Sequence, residues 1–329
     1  MNGRAALGFS LVSAAVLVLG LPPLPVQAQG KYPERSLRIV VPFTAGGAAD
    51  ILARIVGDKF AELWSRPVVI DNRAGAGGNI AAEIVAKAPP DGYTLLMGSM
   101  GTQAMNVSLY RKLPFDPARD FAPISVVAKN PNLLAVHPSV PVATVKELIA
   151  FAKARPGKLN YSSSGTGSMG HMSAELFKLM TGVQIVHVPY KGGAPAVTAV
   201  ISGEADVLFI VLPPVLPHVK AGRLRAIAMG SRERHALLPK VPTIIESGLP
   251  GFEVRQWYGL LAPAGTPGEV VAKLHAAVDR IVKLPETNKR IIDTGSDPAA
   301  TTPAEFEAMI REDTVRWAKV AKASGATAE

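Results

Sequence analysis

Two segments carry the residue types and spacing that could do chemistry: Phe43-Thr44-Ala45-Gly46-Gly47-Ala48-Ala49-Asp50 and Ser162-Ser163-Ser164-Gly165-Thr166-Gly167-Ser168-Met169-Gly170-His171. Each lies between a β-branched run and an amphipathic one, so each reads as a Gly- and hydroxyl-rich loop from a strand into a helix. Such a loop presents backbone N–H groups where the helix dipole favours negative charge, and glycine lets an anion approach the backbone. Neither segment contains Lys or Arg. An anion would be held there by amides, hydroxyls and bridging water. The plainer alternative is a pair of ordinary turns that use Gly and Ser for geometry and capping.

The candidate ligand-binding residues are Phe43, Thr44, Gly46, Gly47 and Asp50 in the first loop and Ser163, Ser164, Thr166, Gly167, Ser168 and His171 in the second. Ser99, Tyr190 and Asp206 complete the set; the last two flank strands and are expected at the same cleft edge. His171, at a first helical turn, is read either as a donor to a carboxylate or as a buried capping histidine. Asp50 stands where acids commonly complement the helix dipole, and the alternative is that it reaches the ligand. Trp257-Tyr258 reads as core, with a pocket floor as the alternative.

Catalysis is poorly supported. Gly165, Gly167 and Gly170 fit G-x-G-x-x-G, but the following strand ends His187-Val188-Pro189-Tyr190 and lacks the acid a dinucleotide site needs. No serine lies in G-x-S-x-G, because Met97 and Thr166 stand where glycine is required before Ser99 and Ser168. The six histidines show no metal-ligand spacing and there is no cysteine. No catalytic residue, metal or cofactor is therefore expected.

The elements that must position the loops follow one grammar. Leu37 to Phe43 reads as a strand and Ile51 to Leu63 as a helix; Val68 to Ile70, a glycine loop at Gly75, Gly77 and Gly78, a helix from Asn79 and a strand at Thr94 repeat the pattern. A second block alternates likewise, with strands at 159–163, 185–189, 207–210 and 224–229. This predicts an α/β protein of two lobes, each a mostly parallel sheet flanked by helices. No flexible linker separates the blocks, so Ile124 to Val136 and Val254 to Ala262 are expected to cross between lobes side by side. The predicted division is 29–129 plus 250–329 for lobe 1 and 130–249 for lobe 2.

Arg4, an apolar run to about Leu24 and Val26-Gln27-Ala28 read as a cleavable secretory signal over 1–28. The remaining roughly 300 residues suit two modest domains or one large one. With no cysteine to carry a lipid, the product is expected free in the periplasm. The net charge of +9 is scattered, without a basic block or interleaved aromatics, which argues against nucleic-acid binding.

The chain also resembles a known family, the Bug or TctC-like solute receptors of tripartite tricarboxylate transporters. The likeness runs through Val41-Pro42-Phe43 with Gly46-Gly47 and Asp50, Asn72-Arg73-Ala74-Gly75-Ala76-Gly77-Gly78, Pro90-Asp91-Gly92-Tyr93-Thr94-Leu95, the Ser/Gly loop ending at His171, Val188-Pro189-Tyr190-Lys191-Gly192, Trp257-Tyr258-Gly259 and Ala262-Pro263-Ala264-Gly265-Thr266-Pro267. It implies a two-lobe Venus-flytrap fold in which the two loops grip a carboxylate-bearing acid through backbone groups and water. It further implies delivery to the permease subunits of the transporter, or a role in signalling, by a receptor expected to be monomeric. A secreted enzyme acting on a small organic acid is the alternative.

Overall fold

The computed structural model describes residues 1, 3 and 32–328; the signal segment read above lies, but for Met1 and Gly3, outside the described residues. The compact body runs from Pro33 onward. It begins with β1 (Leu37–Val41), α1 (Ala48–Trp64), β2 (Val68–Asn72), a 3-10 turn (Ala76–Gly78), α2 (Asn79–Ala86) and β3 (Thr94–Ser99). A π-helical turn, Gly101–Met105, leads into α3 (Asn106–Leu109) and then β4 (Phe121–Val136). The second block is α4 (Val145–Lys153), β5 (Asn160–Ser163), α5 (Met169–Thr181), β6 (Val186–Pro189), α6 (Gly193–Ile201), β7 (Val207–Val211), α7 (Leu212–Lys220) and β8 (Arg225–Met229). The chain ends through β9 (Arg255–Pro263), α8 (Gly268–Lys283), α9 (Pro285–Asp293), β10 (Asp297–Pro298) and α10 (Pro303–Ser324).

The strands lie in the order β2-β1-β3-β9-β4-β7-β5-β6, with β8 and β10 also on β4. Pairing is parallel within β2-β1-β3 and within β7-β5-β6, and antiparallel where β9 and β4 join the halves. β4 is the long crossing strand: Phe121 to Pro131 pair with β9, and Asn132 to Val136 pair with β7. The fold is thus the expected two-lobe α/β arrangement, with two crossing strands lying side by side.

The core explains the order of elements. α8 and α10, from the end of the chain, pack on β4, so residues from both ends of the sequence bury one another. Trp257 is buried, stands edge-on to Phe306 at 4.9 Å and donates from Nε1 to Asp313 at 2.8 Å. It is a core residue, and the alternative of a pocket floor is set aside. Helix starts follow the expected chemistry: Thr144 caps α4, Ser168 caps α5, and Thr302 forms a reciprocal capping box with Glu305 before Pro303 opens α10.

Candidate functional site

The first loop is built by glycine geometry and one carboxylate. Gly46 adopts φ +79°, a conformation that costs side-chain-bearing residues dearly. Its amide donates to Asp50 Oδ2 at 2.9 Å, and the same carboxylate receives the Arg54 guanidinium at 3.0 Å. Burial alone would raise the Asp50 carboxyl, but the hydrogen bonds from Arg54, Gly46 and Asn72 outweigh it and hold the group below its ordinary value. Asp50 is therefore an anionic brace of its own loop. Gly47, at the start of α1, has φ −78° and needs no glycine-specific backbone.

The second loop rests on a stack of rings. Ser163 Oγ accepts the Gly165 amide at 3.2 Å and lies 2.7 Å from His187 Nε2. Gly167 donates its amide to His171 Nδ1 at 3.3 Å, while Ser168 Oγ accepts the His171 amide at 3.3 Å. The His171 ring stacks on His187 at 4.4 Å, and His187 stacks on Tyr161 at 4.7 Å. Beyond the stack, the Tyr161 hydroxyl donates to Glu175, which also receives Lys178. Burial pushes His171 down to about 4, against the pull of Glu175, and pushes His187 down to about 3, with His171 adding to the effect. Both rings are neutral at neutral pH. Since Nδ1 of His171 accepts, its proton sits on Nε2, an assignment that rests on the hydrogen-bond pattern.

The lobes meet at these loops, the first against the segment 191–194 and the second against Gly77. Thr44 donates its amide to Lys191 O at 3.4 Å, and a methyl group built on Gly46 would stand 3.6 Å from Ala194 Cβ. On the far side, a methyl on Gly77 would meet Thr166 O at 2.5 Å. A cavity of about 340 Å³ lies here, lined by Phe43, the run Gly75 to Gly78, Tyr110, Ser164 to Thr166, Pro189 to Lys191 and Ala328.

Of the candidate residues, Phe43, Ser164, Thr166 and Tyr190 line this cavity. Thr44, Gly46 and Gly47 approach the opposite lobe at Lys191, Ala194 and Gly193 respectively. Ser163, Gly167, Ser168 and His171 form the hydrogen-bonded base of the second loop. Ser99 is fully buried, its hydroxyl accepting the Thr102 amide. Asp206 must be corrected. It precedes β7, at the edge where the parallel strands begin, and its carboxylate accepts the Asn160 amide at the start of β5, whereas the cleft lies where β5 ends. Lys191, in the Tyr190-Lys191-Gly192-Gly193 loop that the sequence pointed to as a further candidate, also lines the cavity, whereas sequence reasoning passed over the run Gly75 to Gly78 and Tyr110. The glycine run repeats the strand-loop-helix grammar of the two chosen loops and could have been included on that signal.

The chemistry of the wall is one-sided. Among the described residues it includes Lys191 and no acid. Lys191 has no ion pair among the described residues, and the amides of Ala76, Gly77, Ser164 and Thr166 have no acceptor among them. The residues around the cavity thus carry spare hydrogen-bond donors, hydroxyls and one positive charge.

Comparison with known proteins places this geometry. Residues 52–326 match the family model for the tripartite tricarboxylate transporter family receptor, TctC. The chain belongs to the TctC receptor family. Among curated TctC relatives, it is 34% identical to protein BugT of Bordetella pertussis over 323 residues, covering 98% of this chain and 97% of that protein. Among solved structures, an R. palustris protein with adipate has a TM-score of 0.88 at 42% identity, covering 90% of this chain and 99% of its own. MatC from Rhodopseudomonas palustris with bound malate has a TM-score of 0.85 at 34% identity, covering 88% of this chain and 99% of its own. The periplasmic binding protein BugD has a TM-score of 0.86 at 32% identity, covering 90% and 99%. The fold and the family expected from the sequence are both found.

Proposed function

We propose that this TctC-family chain is a periplasmic solute receptor that holds a small carboxylate-bearing acid between its lobes and presents it, as a monomer, to the membrane permease of a tripartite transporter. The observation that carries the reading is the make-up of the wall: among the described residues it includes Lys191 and no acidic side chain, and the amides of four of its residues, Ala76, Gly77, Ser164 and Thr166, have no acceptor. Such a wall favours an anion, because each donor gains a partner that water alone would otherwise supply. The volume suits a ligand at the small end of the usual range. The similar structures solved with adipate and with malate support the ligand class.

In this reading the ligand meets Phe43, Ser164, Thr166, Tyr190 and the glycine run directly. Thr44, Gly46, Gly47, Asp50, Ser163, Gly167, Ser168 and His171 shape the loops that receive it. Lobe 1 is taken as 29–129 plus 250–329 and lobe 2 as 130–249; the change of β4's partner from β9 to β7 at Asn132 supports that division. No nucleophile-base pair is used, and the ligand leaves unaltered. A thermal-shift screen of mono- and dicarboxylates, followed by mass analysis of the bound acid, tests this. A shift by a carboxylate recovered at unchanged mass is expected; conversion of the acid would favour the secreted-enzyme alternative.

A further inference from the structure

The π-helical turn Gly101–Met105 and α3 belong to neither loop, yet they make close contacts with the second one. A methyl group built on Gly101 would stand 2.8 Å from the Gly167 carbonyl oxygen. Gly101 has no positive φ, so its missing side chain is not required by its own backbone. Five residues on, Asn106 is fully buried. Its Nδ2 donates to Asn79 Oδ1 at 2.6 Å and to Gly77 O at 3.2 Å, both in lobe 1. Its Oδ1 occupies the place where a Cβ at Gly167 would stand, and it has no hydrogen-bond partner among the described residues.

We propose that Gly101 and Asn106 are positioning residues for ligand binding: they seat the Gly167 peptide of the second loop when the lobes are together, and so set affinity without touching the ligand. The proposal rests on the solute-receptor reading above. Neither residue lines the cavity. Gly101 supplies the space for the Gly167 carbonyl, and Asn106 supplies a carboxamide already fixed by lobe 1. Separating the lobes would return water to the unpartnered Asn106 Oδ1, whereas bringing them together strips it of a partner, a penalty that ligand contacts must offset. Apparent affinity then scales with the closed fraction.

Gly101→Ala is the test, with Gly268→Ala as control, since a methyl at Gly268 meets nothing within 4 Å. The chain contains no cysteine, so Val69→Cys and Leu179→Cys, at exposed positions in the two lobes, accept spin labels cleanly. The probes are adipate and malate, measured by calorimetry, by label-to-label distance and by thermal melting of the ligand-free protein. Gly101→Ala is expected to weaken binding by about 10-fold or more and to lengthen the distance in the presence of ligand. The ligand-free melting point should hold, because alanine is the better helix former. Wild-type affinity and distance in Gly101→Ala would overturn the inference, as would weaker binding at an unchanged distance. A wild-type protein that binds neither acid counts against the receptor reading; if its lobes are nevertheless together and separate in Gly101→Ala, the seating role stands.

Discussion

Lowering the pH from 7 to 5 should weaken the fold through the His171–His187 stack. An unfolded histidine titrates near 6.5, whereas burial holds His171 at about 4. Between those values the unfolded chain binds a proton that the folded chain refuses, so stability present above about pH 6.5 is lost as the pH falls and levels off below about 4. At pH 5 the unfolded state lies about 1.5 pH units below its own pKa, and at about 1.36 kcal/mol per unit His171 alone costs about 2 kcal/mol. His187 acts in the same direction, since it too is pushed down. The loss has a local meaning: a proton on His171 Nδ1 would confront the Gly167 amide with a second donor and release the loop. Urea unfolding of wild type and His171→Asn at both pH values isolates the effect. Asparagine keeps an acceptor near the Nδ1 position and cannot titrate. Its stability should fall between pH 7 and 5 by about 2 kcal/mol less than that of wild type. Equal losses in the two proteins would refute the buried, neutral stack.

Other consequences are equally direct. Gly46→Val should destabilise the fold by about 1–2 kcal/mol through its positive φ and abolish acid binding, read by melting curves and calorimetry; unchanged binding would mean that the loop is only a turn. Asp50→Asn removes the anion that holds both Gly46 and Arg54, so ligand affinity should fall and the protection of the Gly46 amide in hydrogen exchange should be lost. A chain ending near Ala128 should show no cooperative unfolding, because β4 would lack β9 and the helices α8 and α10 that cover it.

The strand-loop-helix units that carry the site were legible in the sequence because their helices follow β-branched runs through Gly- and Ser-rich loops. α1 buries one stripe and exposes the other, whereas the first two turns of α5 are buried all round and its start is marked by the loop and the Ser168 cap. The π turn has neither signal: Gly101, Thr102, Gln103, Ala104 and Met105 are all buried, so no polar face marks a period, and no side chain caps its start. α7 was hidden by Pro213, Pro214 and Pro217, although the first two fall in its opening turn, where a missing N–H costs little. The error at Asp206 was one of direction. In parallel strands only the loops after the strands reach the cleft, and Asp206 stands before β7. The ring stack depends on the β5–β6 register that sets Tyr161 opposite His187, whereas the loop of Tyr190 and Lys191 was legible because it follows a strand.

The central claim is that the inter-lobe cavity selects a carboxylate by surrounding it with donors and positive charge. Calorimetric titration of the protein with adipate and with its neutral isostere adipamide tests it most directly. The acid should bind one to one with affinity that falls as salt is added, and the diamide should be at least about 100-fold weaker, since it carries no charge for Lys191 and makes weaker hydrogen bonds to the spare amides. Equal binding of the acid and the diamide would contradict the account.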